Sequence, residues 1–155
     1  MAYNALRKGR VAEPFRAYLL TTITNRREPF FKDLVLARMV AQEMRRLHEE
    51  GRVASQTWVI MPDHLHWLVQ LPGDLGPNRE GYLGEVMKAL KGRSARRVNW
   101  AAGRQGPLWQ RAFHDHAVRD GEDLKPIARY VVANPVRSGL VDRVEDYPHW
   151  DSVWL

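Results

Sequence analysis

The sequence predicts an α+β fold in a single domain, with a four-stranded antiparallel sheet, helices on one face and a further helix near the C-terminus. Two observations lead to this prediction. Apolar residues recur at strand spacing in four segments and at helical spacing in three. These segments follow one another in the order β-α-β-β-α-β, and then a helix. The length of 155 residues is typical of one domain.

The first predicted elements are a strand and a capped helix. Arg16–Thr24 is rich in β-branched and aromatic residues, which favours a strand. Asp33 can cap a helix that runs to about Glu50, and Gly51 is suited to its end. The apolar positions of this helix are Leu36, Val40, Met44 and Leu47. Residues 1–14 are interpreted as a basic arm that precedes the fold.

A hairpin and a long helix are predicted next. Ser55–Met61 and His64–Leu71 are predicted strands, joined by a tight turn at Pro62-Asp63 because proline fixes φ and lacks a backbone donor. After a loop rich in glycine and proline, a helix is expected at about Tyr82–Trp100. The stripe on which it packs is Leu83, Val86, Leu90, Ser94 and Val98.

The last predicted elements are a fourth strand, Phe113–Arg119, and a helix at about Glu122–Asn134. Pro126 is tolerated in the first turn of this helix. The helix is expected to end before Pro135, because the residue before a proline avoids the helical conformation. The tail, 136–155, is expected to pack over the domain through its tryptophans.

This order of elements is the ferredoxin-like, split βαβ arrangement. It places two helices on one face of the sheet and leaves the other face free to carry a site. The same topology serves many unrelated proteins, so it does not by itself indicate a function.

Charge and composition narrow the class of protein. Lysine and arginine total 24 against 18 acidic residues, and the pI is about 10.0, a balance that favours a polyanionic partner such as nucleic acid. The chain has no cysteine, which excludes a disulfide scaffold, a thiolate zinc site and a cysteine nucleophile. No apolar run approaches the ~20 residues of a membrane span, so we expect a cytoplasmic protein.

His64 and His66 are candidate metal ligands in the third predicted strand. Side chains alternate along a strand, so both imidazoles point to one face, about 7 Å apart along the strand. Leu65, Trp67 and Val69 then point to the other face and can pack under the helices. Two neutral imidazoles at this spacing can share one divalent ion. The alternative is a pair of ordinary sheet histidines.

A second pair with the same spacing, His114 and His116, lies in the fourth predicted strand. It could compete for the metal, or serve a structural or DNA-proximal role. With an amide as third ligand, two histidines suit Mn²⁺ or Zn²⁺ better than Mg²⁺ on ligand hardness, although Mg²⁺ is more abundant in cells.

Tyr130 is the candidate nucleophile, and Asn134 follows it one helical turn later on the same ridge. The residues that dock this helix are Leu124, Ile127 and Val131. Tyr130 and Asn134 flank that stripe and can reach a site at the sheet edge. A phenol and an amide oxygen beside two histidines form a metal-assisted nucleophile. The alternatives are a surface tyrosine and a simple helix terminator.

Basic and aromatic side chains are candidates for DNA contacts. Five basic residues crowd the second helix: Lys88, Lys91, Arg93, Arg96 and Arg97. They suit a surface that tracks phosphates, or an ordinary solvated face. Trp109 and Arg111, with Gln110 between them, suit unpaired bases, although a core tryptophan is the alternative.

Three segments of the chain together resemble the REP-associated tyrosine transposases, which are IS200-like, single-tyrosine transposases of the HUH (His-hydrophobe-His) class. The segments are VIMPDHLHWLVQLP, LWQRAFHDHAVRD and LKPIARYVVANPVRSGLV, and the match runs from about Tyr18 to Leu140. The resemblance implies one HUH domain across residues 1–155. It implies that His64, His66 and Asn134 hold Mg²⁺ or Mn²⁺ and that Tyr130 is the nucleophile.

The resemblance also implies the reaction. The expected activity is metal-dependent cleavage and rejoining of single-stranded DNA at palindromic hairpins through a 5′-phosphotyrosine, by a monomer or homodimer in the bacterial, nucleoid-associated cytoplasm. Arg7, Lys8 and Arg10 of the arm fall where relatives contact a short guide sequence beside the hairpin. The alternatives are a non-catalytic nucleic-acid-binding module of the same topology and a metal phosphodiesterase that uses water.

Overall fold

A computed structural model describes residues 11–154, and these fold around one antiparallel sheet. Its strands are β1 (Ala17–Ile23), β2 (Ala54–Met61), β3 (His64–Gln70), β4 (His114–Ala117) and β5 (Trp150–Ser152). Their order across the sheet is β4-β1-β3-β2-β5, and each neighbouring pair is antiparallel. The first four strands have the predicted split βαβ order. The fifth strand, which the sequence did not predict, comes from the tail and extends the edge at β2.

The helices of the described residues are α1 (Leu34–Glu49), α2 (Tyr82–Ala102), α3 (Lys125–Val132) and α4 (Asn134–Arg137). The Asp33 carboxylate accepts hydrogen bonds from the backbone N–H groups of Val35 and Leu36, at 2.9 and 3.3 Å, which confirms the predicted cap. Within residues 11–154 no helix combines the length and apolarity needed to cross a membrane.

The main core lies between α1, α2 and one face of the sheet. Leu65, Trp67 and Val69 of β3 are fully buried there, as the alternation predicts. The predicted stripes of both helices are buried against them. The side chains of β3 that point the other way, including His64 and His66, therefore lie on the opposite face.

That opposite face is partly covered, whereas the sequence suggested that it stays free. The helix α3 packs there through Ile127 and Val131, with Val59 and Met61 of β2. Leu68 of β3 belongs to a neighbouring small cluster, which Trp154 of the tail also contacts. The sheet is thus sandwiched between two helices on one side and α3 with the tail on the other.

The predicted end of the last helix is wrong, because a further short helix follows it. The helix α3 ends at Val132, but after Ala133 the chain enters α4 instead of leaving the helical conformation. Pro135 lies in the first turn of α4, where its missing N–H group has no intrahelical partner to lose. The fourth strand is also shorter than the predicted Phe113–Arg119, since it spans only His114–Ala117.

Candidate active site

The β2–β3 hairpin fixes where the two histidines lie. The turn Pro62-Asp63 joins Met61 directly to its cross-strand partner His64. Burial of Leu65 on the helix side leaves His64 and His66 side by side on the other face, as predicted. Their ring centres are 5.0 Å apart, and the ring planes are nearly perpendicular at 81°.

Each imidazole is oriented by one neighbour through its Nδ1 atom. His64 Nδ1 is 2.7 Å from an oxygen of Asp63, and His66 Nδ1 is 2.7 Å from the hydroxyl of Thr21. Thr21 is the residue of β1 that pairs with His66 in the sheet register. Among residues 11–154 no hydrogen bond reaches either Nε2 atom. This is how metal-ligating histidines are commonly oriented, with one nitrogen fixed and the other presented to the ion.

Electrostatics keep one of these rings neutral. Burial, together with the nearby charges of His64 and Arg137, lowers the pKa of His66 to about 4. Burial alone would raise the pKa of Asp63, but hydrogen bonds with His64 and Arg27 outweigh it and lower that pKa. Asp63 is therefore an ionised acceptor for the His64 ring, and His66 is in the neutral form that a metal requires.

The two imidazoles fit a shared divalent ion. With metal–nitrogen distances of about 2.0–2.1 Å, two imidazoles on one ion have ring centres roughly 5 Å apart, which matches the observed 5.0 Å. Within residues 11–154 no group of three or more His, Cys, Asp or Glu side chains is arranged to hold a metal. The predicted third ligand, the Asn134 amide, is of another kind and lies at the start of α4. Its Oδ1 atom is 3.4 Å from the Ser138 hydroxyl.

The helix that carries Tyr130 packs beside this pair. Val131 contacts Val59 and Met61, which are the cross-strand partners of His66 and His64 respectively. Tyr130, the residue before Val131, lies at the exposed border of α3, where 62% of the residue is accessible. Among the described residues nothing hydrogen-bonds to its hydroxyl, so the phenol is accessible to a substrate.

Arg137 also lies against Tyr130, although it is not among the site residues predicted from the sequence. Its guanidinium carbon is 3.8 Å from the centre of the Tyr130 ring, and its Nη1 atom donates a hydrogen bond of 2.7 Å to the Tyr130 carbonyl. The two residues are seven apart, which is about two helical turns. That spacing could have indicated the contact from the sequence. It was missed because the helix was predicted to end before Pro135.

The second histidine pair lies on the same face, at the sheet edge. His114 pairs with Thr21, which pairs in turn with His66, so the three residues form one row across the sheet. Two strand spacings separate His114 from His66, roughly 10 Å. His116 is exposed and pairs with Leu19. The second pair is therefore beside the first and not part of the same set of ligands.

The region that contains these residues matches a known protein family. A family model described as IS200-like transposases matches residues 16–134, which include both histidines and Tyr130. This chain belongs to the IS200-like transposase family. The family predicted from the three sequence segments is thus confirmed.

Curated relatives of this IS200-like transposase carry a related name. The REP-associated tyrosine transposase of Escherichia coli is 32% identical over 92 residues, which are 59% of this chain and 49% of that protein. A Haemophilus influenzae protein that is also named a REP-associated tyrosine transposase is 36% identical over 94 residues, which are 58% of this chain and 53% of that protein. The chain spans about half the length of these two relatives.

Two solved structures share the fold. A REP-associated tyrosine transposase bound to a REP hairpin superposes with a TM-score of 0.70 at 22% identity, covering 91% of this chain and 79% of the other. A Deinococcus radiodurans protein described as a transposase superposes with a TM-score of 0.55 at 23% identity, covering 82% of this chain and 95% of that one. At these identities the likeness concerns the fold.

Several predicted DNA contacts of this IS200-like transposase have internal partners. Arg93 forms an ion pair of 3.0 Å with Glu50, and Arg97 forms one of 3.0 Å with the fully buried Glu43. The ammonium of Lys91 donates to three backbone carbonyls, those of Gln110, Arg111 and Ala112. For these three basic residues the structure favours a role in holding α2 to its neighbours.

Trp109 is a core residue in the structure. It is 5% exposed, its ring lies 5.3 Å from that of Phe31, and its Nε1 donates a hydrogen bond of 2.9 Å to Ser94. The alternative of a core tryptophan is therefore favoured over a ring that stacks on bases, because neither face of the indole is accessible.

The remaining candidates are exposed or lie outside the described residues. Lys88, Arg96 and Arg111 are exposed, and α2 lies on the sheet face opposite the histidines. Arg7, Lys8 and Arg10 of the arm lie outside the residues that the structure describes.

Proposed function

We propose that the protein cleaves and rejoins single-stranded DNA at palindromic hairpin sites, as a monomer or homodimer, with Tyr130 as nucleophile. One observation carries the proposal: Val131, next to Tyr130, packs on the cross-strand partners of two histidines, whose Nε2 atoms take part in no hydrogen bond within residues 11–154. Membership of the IS200-like transposases supports it. The hairpin bound by the solved relative supports a DNA hairpin as the partner.

The proposed step is a transesterification at a backbone phosphate. The Tyr130 hydroxyl oxygen forms a bond to phosphorus as the bond from phosphorus to the 3′ oxygen breaks. The phenol loses its proton to solvent, and the departing 3′ oxygen takes up a proton. The resulting 5′-phosphotyrosine is itself a phosphodiester, between the Tyr130 oxygen and the 5′ oxygen of the DNA, so attack by a 3′-hydroxyl can reverse the step and rejoin DNA without ATP.

The side chains of this face have different roles in preparing that step. His64, His66 and Asn134 would hold a divalent ion, Mg²⁺ or Mn²⁺, which when bound polarises a phosphate and offsets its developing charge. Asp63 and Thr21 fix the two imidazole rings through their Nδ1 atoms. The exposure of Tyr130 leaves its hydroxyl open to an extended DNA strand.

The proposal is tested with labelled single-stranded hairpin DNA and Mg²⁺ or Mn²⁺. We expect a covalent protein–DNA adduct that survives denaturation, that is lost in Tyr130→Phe and His64→Ala, and that persists in Tyr82→Phe. Tyr82 is a suitable control because its hydroxyl donates to the Arg52 carbonyl on the opposite side of the sheet. Cleavage that leaves a free 5′-phosphate and is indifferent to Tyr130→Phe would instead indicate a phosphodiesterase that uses water.

A further inference from the structure

We infer that Arg137 is a positioning residue for Tyr130, which holds the phenol ring in the orientation from which its hydroxyl reaches the phosphate. The inference rests on the proposed role of Tyr130 as nucleophile. Arg137 contacts Tyr130 at two points. Its guanidinium stacks on the ring, with the guanidinium carbon 3.8 Å from the ring centre, and its Nη1 atom donates a hydrogen bond of 2.7 Å to the Tyr130 carbonyl. Such a two-point contact fixes the ring relative to its own backbone.

The Tyr130 side chain is largely exposed within residues 11–154. The residue is 62% exposed, and among the described residues its hydroxyl has no hydrogen-bond partner. Ile127 and Val131 anchor the backbone of α3 on the sheet, but they do so on the buried side of the helix. Exposed side chains exchange among rotamers in picoseconds to nanoseconds, so the stacked guanidinium favours one rotamer of the ring over the others.

The position of Arg137 is itself set by the buried part of α4. Pro135 is buried, and the backbone N–H of Arg137 donates to the Ala133 carbonyl at 3.0 Å. The break between α3 and α4 therefore holds the arginine over the tyrosine from a separately anchored turn. Within residues 11–154 no carboxylate forms an ion pair with Arg137, so none of the described acidic side chains neutralises its charge.

The free charge suits a group that works beside a phosphate. Stacking uses the face of the guanidinium, and one of its five N–H donors is used by the Tyr130 carbonyl. The other donors remain in the plane of the group, where arginine binds phosphate oxygens.

The experiment compares Arg137→Gln and Arg137→Lys with the control Arg45→Gln. Arg45 is an exposed arginine of α1, on the opposite face of the sheet, so its removal controls for the loss of one positive charge. Two quantities are measured with hairpin DNA: the single-turnover rate of adduct formation at saturating DNA, and the Kd of the complex without metal. Both variants change an exposed side chain, and circular dichroism verifies that they remain folded.

We expect Arg137→Gln to slow adduct formation at saturating DNA roughly tenfold to a hundredfold, because misplacing a nucleophile by about 1 Å has an effect of this order. The Kd should change by less than about threefold, as one exposed phosphate contact predicts. Arg137→Lys keeps the charge but lacks the planar stack, so it should recover only part of the rate. Arg45→Gln should match the wild type in both quantities.

A spectroscopic measurement separates positioning from charge without relying on activity. Carbon-13-labelled tyrosine gives ring signals, of which that of Tyr130 is identified by its loss in Tyr130→Phe. We expect this signal to move in Arg137→Gln and to stay unchanged in Arg45→Gln. A wild-type adduct rate in Arg137→Gln would overturn the inference. So would an equal loss of rate and of DNA affinity with the Tyr130 signal unmoved, which would make Arg137 a simple phosphate contact.

A different result would show that the proposed function itself is wrong. If the wild-type protein forms no Tyr130 adduct, the role of Tyr130 as nucleophile is wrong, and the positioning role of Arg137 in that reaction is wrong with it. The ring signals then still report whether the arginine–tyrosine contact exists in solution.

Discussion

A threonine hydroxyl orients the half-buried imidazole of His66 in the candidate metal site. Thr21 lies opposite His66 in the sheet, and its hydroxyl is 2.7 Å from Nδ1 of the ring. Partners of this kind fix the tautomer and orientation of a metal ligand, and their loss typically lowers metal affinity 10–100-fold. The neighbouring Thr22 points to the other face, where its buried hydroxyl has no hydrogen-bond partner among the described residues.

We therefore predict opposite results for two adjacent substitutions. Thr21→Val should weaken Mn²⁺ binding by roughly tenfold or more, measured by isothermal titration calorimetry, because the His66 ring loses the hydrogen bond that orients it. Thr22→Val should leave Mn²⁺ binding unchanged and raise the free energy of unfolding by about 1 kcal/mol, because it removes an unsatisfied buried hydroxyl. Equal metal affinity in the two variants would show that Thr21 does not orient a ligand.

Tyr147 provides a pH-dependent test of the packing under α3. Its hydroxyl donates a hydrogen bond of 2.6 Å to the Ile60 carbonyl, and burial raises the pKa of Tyr147 to about 12. The folded state thus prefers the neutral phenol. The resulting stability is fully present below the unfolded pKa of about 10 and is lost as the pH rises through about 12.

Tyr147→Phe isolates this contribution from the titration of other groups. At neutral pH we expect the wild type to be more stable than the variant by about 1–2 kcal/mol, because the variant leaves a carbonyl without its donor. The difference in free energy of unfolding, measured with urea, should shrink between about pH 10 and about pH 12. A difference that stays constant across that range would contradict the burial of a neutral phenol.

At the scale of elements, the short helix α3 depends on tertiary packing. It has eight residues, too few for an isolated helix to be stable in water. Val131, which is 1% exposed, anchors it on Val59 and Met61. The placement of Tyr130 therefore depends on a contact between a helix and the sheet face, and not on the helix alone.

A matched pair of core substitutions tests this dependence. Val131→Ala and Val40→Ala each remove two buried methyl groups, the first under α3 and the second under α1 on the opposite face. Each should lower the free energy of unfolding by about 2 kcal/mol. At a temperature where both remain folded, Val131→Ala alone should slow formation of the DNA adduct. Equal rates in the two variants would mean that anchoring of α3 does not limit the reaction.

Elements with local signals could be predicted from the sequence, and elements that depend on distant contacts could not. The Asp33 cap, the Pro62-Asp63 turn and the alternation around His64 and His66 are each encoded within a few residues, and the structure agrees with them. The strand β5 has three residues and is defined by its pairing with β2, which no local pattern shows.

The same reason explains the residues of the site that were missed. Thr21 contacts His66 only because the sheet register places them opposite each other, 45 positions apart in the chain. Arg137 reaches Tyr130 only because a second helical turn begins at Asn134. The rule that a helix ends before a proline is local, and it failed because Pro135 occupies the first turn of the next helix.

At the scale of the whole molecule, the two faces of the sheet carry different tasks. One face holds the main core under α1 and α2. The other face holds the histidines, the docked α3 and the tail, so the two histidines and the helix that carries Tyr130 lie on the same side. A net charge of +6 suits a DNA partner. The central claim is that Tyr130, on this shared face, becomes covalently bound to that DNA.

Mass spectrometry of the DNA-linked peptide tests this claim most directly. After reaction with hairpin DNA and Mn²⁺, nuclease treatment and trypsin, cleavage after Arg129 and Arg137 releases the eight-residue peptide Tyr130–Arg137. We predict that this peptide carries a nucleotide linked through phosphate to Tyr130. A nucleotide on a different tyrosine, or cleaved DNA with every tyrosine unmodified, would contradict the account.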